Sequence, residues 1–218
     1  MSLADLRSGD RVFIDANIFI YHFGGRSLEC KAFLERCARR ELLGYTSTPL
    51  LAEVLHRRMV AEAIAKGLVT TRTAVRKLGE TPEMVKKLTQ YQDDVSKIPH
   101  MHLTILPLTL DIVQASAEVR KREGLLTNDS FVVVFMRQQG LTQLVTANGD
   151  FDRVGGSQST NRRILKDKIP LRISAFEPWL PQRATAQQGF AADCQKRPLR
   201  SRFWQRLKPR GSVPCLAR

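Results

Sequence analysis

Four acidic residues occupy points of this sequence where predicted strands end or predicted helices begin. Asp15 follows the apolar strand 11–14, Glu53 lies in the first turns of a helix, Asp129 lies near the start of a later helix, and Asp150 comes just after another strand. Carboxylates that lie within a few ångströms of one another repel, so such a group must retain a proton or bind a cation. Oxygen ligands alone favour Mg²⁺ or Mn²⁺ over zinc.

Asp15 is the acid that is hardest to explain on structural grounds alone. It follows directly on a buried apolar strand, where an unpaired carboxylate costs several kcal/mol. Each other acid has an ordinary explanation: Glu53 and Asp129 suit the dipole of a helix start, and Asp150 and Asp152 suit a turn. The ordered set, and not any single acid, therefore predicts a functional site.

Strand and helix signals alternate along the chain, which predicts a parallel α/β sheet with helices on both faces. The predicted strands are 11–14, 45–47, 103–106, 143–146 and 169–173. A helix is predicted over 27–42 and is expected to end at Gly44. Residues 131–136 are apolar and rich in valine, but a capping start and Gly140 favour a helix there. Strand ends and the helix starts that follow them share one edge, so Asp15, Glu53 and Asp150 should converge.

The charge of the chain indicates a polyanionic partner, most simply nucleic acid. The formal net charge is +14 and the isoelectric point is near 10.2. Residues 181–218 carry nine Lys and Arg against one acid, and we expect them to be a disordered basic tail after a domain that covers 1–180. Within that domain, a helical arm is predicted at about 57–99, and its basic face either is simply solvated or binds RNA. The candidates for RNA binding are Arg57, Arg58, Arg72, Arg76 and Lys77.

Other classes of site find little support in the sequence. Cys30 and Cys37 share one helix face without metal-site spacing, so we expect two reduced core thiols. The four histidines are scattered and none is placed to replace the acids. The first residues are polar and the apolar run after them is short and interrupted by an acid, so we expect a cytoplasmic protein without a membrane span.

The acids and the residues around them resemble the PIN-domain ribonucleases, and their spacing is most similar to the toxins of VapBC-type toxin–antitoxin pairs. The resemblance covers about residues 10–180, ends near Pro178-Trp179, and rests on FIDANIFIYHF, TPLLAEVLHR, LLTNDSFVVVFMRQQGL and LVTANGDFDRV. It implies a PIN-like parallel sheet of about five strands with an acidic Mg²⁺ or Mn²⁺ site at the carboxyl edge, which Asp129 joins. It also implies endonucleolytic cleavage of RNA, a small antitoxin as partner, and the capacity to form a homodimer.

The chain departs from this pattern at Asn148, where many members carry an acid. Asp150 or Asp152 must then supply the fourth carboxylate, and one cation would be held more weakly. Asn17 and Thr146 are predicted to support the site, with Asn17 orienting Asp15.

Two alternatives remain open at this stage, and two others are disfavoured by the sequence. A non-catalytic RNA-binding protein of the same fold is permitted by the amide at Asn148, and a housekeeping RNA-processing nuclease would use the same acids. A phosphohydrolase with Asp15 as nucleophile would need an acid at position 17, which is Asn17 here. A phosphoacceptor receiver domain would need an acidic pair before the first strand and a late lysine.

Overall fold

The fold was analysed in a computed structural model, which describes residues 3–154 and 161–164. For residues 152, 153 and 161–164 it describes the course of the backbone alone. The predicted strand at 169–173, Pro178-Trp179 and the basic tail lie outside the described residues. Within the described part of the chain, no helix is both long enough and apolar enough to cross a bilayer.

A single parallel sheet forms the centre of the fold. Its strands lie in the order β3-β2-β1-β4-β5, and every neighbouring pair is parallel. The strands are β1 (Arg11–Ile14), β2 (Leu43–Ser47), β3 (Thr104–Leu106), β4 (Gln143–Thr146) and β5 (Asn161–Ile164). The chain builds outward from β1 to β3 and then returns to the other side of β1. The space between β1 and β4 is therefore the topological switch point, where sheets of this kind place their ligands.

The connections from β1 through to β4 are helical, as the alternation of signals predicts. The helices are α1 (Ala16–Phe23), α2 (Leu28–Ala38), α3 (Thr48–Ala65), α4 (Ala74–Glu80), α5 (Pro82–Val85), α6 (Gln90–Ser96), α7 (Leu110–Glu123) and α8 (Thr127–Gln138). Short 3₁₀ turns occupy Leu3–Asp5, Ile98–Met101 and Gly149–Arg153.

Helices cover both faces of the sheet. The ring of Phe13 in β1 stacks on Phe135 of α8, with 6.1 Å between the ring centroids. The next side chain in the strand, Ile14, points to the opposite face. There it lies near Cys37 of α2, since a Cβ atom added at Gly44 would come within 2.9 Å of Ile14 and 3.4 Å of the Cys37 sulfur. The predicted parallel sheet between two helical layers is confirmed.

Two details of the prediction are wrong. The helix predicted over 27–42 ends at Ala38, because Arg40 adopts a left-handed backbone with φ of 59°. Gly44 is not its terminator but a buried residue of β2, where a Cβ atom would meet Leu103 at 2.5 Å.

One strand was missed by the sequence analysis. The fifth described strand is Asn161–Ile164, a segment whose polar and basic residues carry no strand pattern.

The cysteines and the valine-rich helix follow the prediction. Cys30 and Cys37 are free and buried, and burial raises the pKa of Cys30 to about 11 and that of Cys37 to about 12. Residues 131–136 lie in α8 and are all buried, which explains the choice of apolar side chains there.

Helices α4 to α6 carry an apolar cluster separate from the core of the sheet. Its buried members come from the second half of α3 and the segment after it: Val60, Ala63, Val69, Ala74, Leu78 and Leu88. This arrangement lies within the segment for which the sequence predicts a helical arm. The arm therefore has its own apolar packing.

Two buried carboxylates tie the arm to α3. Glu62 accepts hydrogen bonds from the backbone N–H groups of Thr89 and Tyr91 at 3.0 and 2.9 Å, and it pairs with Lys66 at 2.6 Å. Burial alone would raise the pKa of Glu62, but these partners outweigh it and lower the pKa to about 2. On the facing helix, Asp94 accepts two hydrogen bonds from Arg58, at 2.9 and 2.7 Å.

Replacing Glu62 by Gln should destabilise the protein by about 2 kcal/mol, because the amide leaves charged and backbone donors imperfectly satisfied. Since the pKa of Glu62 is lowered in the fold, its contribution is present above about pH 4.5 and is lost as pH falls toward 2. Urea unfolding at pH 7 measures the effect. The matched control is Glu83→Gln, an exposed acid paired with Lys86, which should change stability by less than about 0.5 kcal/mol. If the two changes destabilised the protein equally, the buried contacts of Glu62 would not be what holds the arm to α3.

Candidate active site

Asp15 does not lie within a strand but at the junction between β1 and α1. Its backbone N–H still donates to Val145 of β4 at 3.0 Å, which extends the sheet by one residue. Its carboxylate caps α1 by accepting from the N–H of Ala16 at 2.7 Å. The helix start explains why a carboxylate is tolerated at the end of a buried strand. The sequence predicted the strand and the acid but not this helix.

The second oxygen of Asp15 is fixed by side chains that converge from α1 and β4. Oδ2 accepts from the Thr146 hydroxyl at 2.5 Å and from the Asn17 amide at 2.7 Å. The Asn17 oxygen in turn accepts from the N–H of Ala147 at 3.2 Å. Asn17 and Thr146 therefore hold Asp15 at the switch point, in the supporting positions that the sequence predicted for them.

Asn148 connects the other two aspartates. Its side-chain nitrogen donates to Asp129 Oδ2 at 3.3 Å, and its oxygen accepts from the N–H of Asp150 at 3.0 Å. Its own N–H donates to the Thr146 hydroxyl at 2.9 Å. A chain of hydrogen bonds thus runs from Asp15 through Thr146 and Asn148 to Asp129. Asp152 belongs to the same 3₁₀ turn, and its side chain lies outside the described residues.

The acids act on one another electrostatically. Burial and the charges of Asp15, Asp150 and Glu53, in that order, raise the pKa of Asp129 to about 7. Burial raises the pKa of Asp15 to about 6, with the charge of Glu53 adding to the effect and the hydrogen bond from Thr146 opposing it. Carboxyl groups that hold protons near neutral pH are under unrelieved repulsion and desolvation, which is typical of functional sites. The structure brings together the four acids that the sequence singled out.

Glu53 is held by two partners of its own. Oε1 pairs with Arg57 one turn further along α3 at 2.7 Å, and Oε2 accepts from the Asn128 amide at 3.1 Å. Asn128 directly precedes Asp129 in α8, so this contact joins α3 to the start of α8. Spacing alone signals the Arg57 pair, since residues four apart share a helix face. No local pattern in the sequence indicates Asn128.

The donor set suits a hard divalent cation. The four acids offer carboxylate oxygens only, and their repulsion would be relieved by Mg²⁺ or Mn²⁺. Continuing the register of β1 and β2 places Ser47 beside Asp15, and the buried Ser47 hydroxyl has no hydrogen-bond partner. In the described residues, no three His, Cys, Asp or Glu side chains are arranged to hold a metal. With Glu53 turned to Arg57 and Asn128, cation binding would require it to change partners.

The basic residues predicted to bind RNA differ in their surroundings. Arg58 is committed to Asp94, and its side chain is only 14% exposed. Arg72, Arg76 and Lys77 are all exposed, and Arg76 pairs loosely with Glu80 at 3.8 Å. The contacts of Arg58 are those of a structural ion pair, while Arg72 and Lys77 are accessible to a ligand.

Known proteins with similar sequence or fold are ribonucleases and toxin–antitoxin complexes. Ribonuclease VapC2 of Methanocaldococcus jannaschii is 28% identical over 145 residues, which cover 66% of this chain and 89% of that protein. Among solved structures, VapBC2 of Rickettsia felis, bound to a DNA fragment from its promoter, is 18% identical, with a TM-score of 0.45 and coverage of 71% of this chain and 97% of that one. A toxin–antitoxin complex of Klebsiella pneumoniae is 21% identical, with a TM-score of 0.44 and coverage of 68% and 97%.

The family assignment comes from a sequence profile and does not depend on these pairwise similarities. The profile of the PIN domain matches residues 12–157. The matched region begins within β1 and extends past Asp150, so it spans all four acids, and it covers more than half of the chain. The chain therefore belongs to the PIN domain family.

Proposed function

We propose that this protein is a metal-dependent endoribonuclease that hydrolyses phosphodiester bonds in RNA and is the toxin of a type II toxin–antitoxin pair. The observation that carries the proposal is the chain of hydrogen bonds that runs from Asp15 through Thr146 and Asn148 to Asp129, because it holds two of the acids together where β1 and β4 end. Membership of the PIN domain family and similarity to a VapC ribonuclease agree with it.

In the proposed mechanism, Asp15, Glu53 and Asp129 hold Mg²⁺ or Mn²⁺, and Asp150 completes the site. When bound, the cation would neutralise the acids and activate water toward a scissile phosphate. Thr146 and Asn17 keep Asp15 Oδ2 in place. Because the Asp15 side chain is already ordered, no conformational entropy is lost when it positions the reacting groups. Asn148 orients Asp129 and fixes the turn that presents Asp150.

RNA would be held by cationic side chains of the helical arm. Arg72, Arg76 and Lys77 are exposed members of the predicted set, and such contacts to phosphates give affinity without sequence preference. A small antitoxin and a second copy of the chain are the proposed protein partners, met in the cytoplasm. The proposed domain comprises residues 1–180, with 181–218 as a basic extension that adds to the attraction for RNA.

A non-catalytic RNA-binding protein is the second candidate, and one observation favours it. Asn148 presents a hydrogen-bond donor to Asp129, where an acid would present a further ligand oxygen. Cleavage assays separate the candidates directly, because the second one binds RNA in EDTA and yields no new ends in Mg²⁺.

The test of function is incubation with total RNA with and without Mg²⁺, followed by mapping of new RNA ends. Asp129→Asn should reduce Mg²⁺-dependent cleavage at least about a hundredfold, because the amide removes a charged ligand at the reacting centre. Its circular dichroism spectrum should match that of the wild type.

The matched control for this change is Asp111→Asn, which removes an exposed acid from the first turn of α7. It should cleave at the wild-type rate. Wild-type cleavage by Asp129→Asn, or cleavage that persists in EDTA, would overturn the assignment.

In EDTA, the free energy of unfolding should decrease as the pH rises from about 4 to about 7. The pKa values of Asp15 and Asp129 are raised in the fold to about 6 and about 7. The folded state therefore binds these protons more tightly than the unfolded chain, and the stabilisation is lost as pH rises through the raised values. Thermal unfolding at pH 5 and pH 7.5 measures the loss, expected at about 5 °C.

Two comparisons identify the source of that pH dependence. Asp129→Asn should flatten the decline in EDTA because the amide does not titrate, and saturating Mg²⁺ should flatten it in the wild type. A decline of the same size in Asp129→Asn would show that other groups cause it.

Exchanging Arg72 and Lys77 together for Gln should weaken RNA binding and its dependence on salt. Each phosphate neutralised on a single strand contributes ~0.7 to the slope of log affinity against log salt, so the slope should fall by about 1.4. Fluorescence anisotropy with a catalytically inactive variant in EDTA gives both values. The control Lys31→Gln/Arg39→Gln removes two exposed cations at α2, and a slope reduced equally by both pairs would argue against a specific role of the arm.

A further inference from the structure

Glu53, one of the acids of the site, forms an ion pair with a cation of this chain. Arg57 Nη2 lies 2.7 Å from Glu53 Oε1, within a single helix and one turn apart. The other oxygen of Glu53 accepts from Asn128. By contrast, the carboxylate of Asp15 accepts only from uncharged groups: Ala16, Asn17 and Thr146.

The charge of Arg57 reaches beyond its direct partner. It lowers the pKa of Asp15, against the larger effects of burial and of Glu53, and it also lowers the pKa of Tyr21 in α1. Arg57 therefore lies within the field of the acidic site. It partly offsets the repulsion that the carboxylates impose on one another.

We propose that Arg57 is a built-in counter-cation of the acidic site, which holds Glu53 when no divalent cation is bound and competes with that cation for the carboxylate. The inference rests on the proposed function, because it takes the acids to be the cation site. Arg57 acts as a positioning residue: it sets where Glu53 points and how strongly the site attracts a cation.

The surroundings of Arg57 permit such an exchange. Its side chain is 40% exposed and is joined to Glu53 by an ion pair along the helix surface, a type of contact worth only a few tenths of a kcal/mol. The neighbouring Arg58 shows the opposite arrangement, because its side chain is only 14% exposed and makes two hydrogen bonds to Asp94. Rotation of the Arg57 and Asn128 side chains would release Glu53 toward the other acids without movement of α3.

The proposal also accounts for the arrangement of the acids. They lie at one edge and influence one another, yet no three of them in the described part of the chain are drawn together as a metal site. Because Glu53 is turned toward Arg57 and Asn128, its carboxylate does not contribute to such a group. A divalent cation that displaces Arg57 from Glu53 would bring this carboxylate to the other acids.

The experiment is titration of the full chain with Mn²⁺ in the absence of RNA, measured by isothermal titration calorimetry. Arg57→Gln removes the competing charge, so Mn²⁺ should bind at least about tenfold more tightly than to the wild type. Thermal unfolding gives a second readout: in EDTA the variant should melt below the wild type, and saturating Mn²⁺ should raise its melting temperature by more. Arg57→Met, which keeps the apolar length of the side chain, should behave in the same way and guards against misfolding of the first variant.

Two controls separate the charge of Arg57 from a general effect. Arg57→Lys keeps the charge and should keep Mn²⁺ affinity within about threefold of the wild type. Lys31→Gln removes the cation of an equally spaced pair with Glu35 in α2 and should leave Mn²⁺ affinity unchanged.

The outcomes distinguish this proposal from the proposed function. If the wild type binds Mn²⁺ and Arg57→Gln binds it equally or less tightly, Arg57 is not a counter-cation and the nuclease assignment stands. If neither protein binds Mn²⁺, both proposals fail. If only Arg57→Gln and Arg57→Met bind it, the competition is stronger than expected and the proposal is supported.

Discussion

Repulsion among carboxylates at one edge of a parallel sheet is the constraint to which the rest of the site responds. Asp15 lies at the end of the central strand, where burial and neighbouring charge both oppose ionisation. The fold compensates with a helix start, with hydrogen bonds from Thr146 and Asn17, and with the charge of Arg57. These contacts hold the acids in place without neutralising them, which leaves a site with a remaining affinity for positive charge.

Carboxylates of the arm differ from those of the sheet edge in the direction of their pKa shifts. Glu62 and Asp129 are both carboxylates with buried surroundings, yet the pKa of Glu62 is lowered and that of Asp129 is raised. The difference lies in their partners: Lys66 and backbone N–H groups face Glu62, whereas other acids face Asp129. Buried carboxylates whose partners satisfy them serve the structure, whereas those that face other acids mark a candidate functional site. This contrast distinguishes the paired carboxylates of the arm from the acids at the sheet edge.

Asn148 shows what the departure from the family pattern achieves in this chain. Its amide can donate to Asp129 and accept from the backbone of Asp150 at once, which a carboxylate could not do. The exchange gives up one ligand oxygen and one negative charge. In return, the turn after β4 is tied to α8, and the repulsion at Asp129 is reduced by a hydrogen bond in place of a fourth neighbouring charge.

The sequence by itself determined the class of fold and singled out the candidate acids, because strand and helix periods are local and a carboxylate after a buried strand is costly wherever it occurs. It also determined that the valines of α8 form a helix, from its cap and its length. Only the tertiary structure decided the end of α2 at Ala38, the buried place of Gly44 and the strand Asn161–Ile164, since these depend on packing between distant segments. It alone decided the partners as well: Asn128 with Glu53, and Asp94 with Arg58, are contacts between residues 75 and 36 positions apart, which no local pattern can reveal.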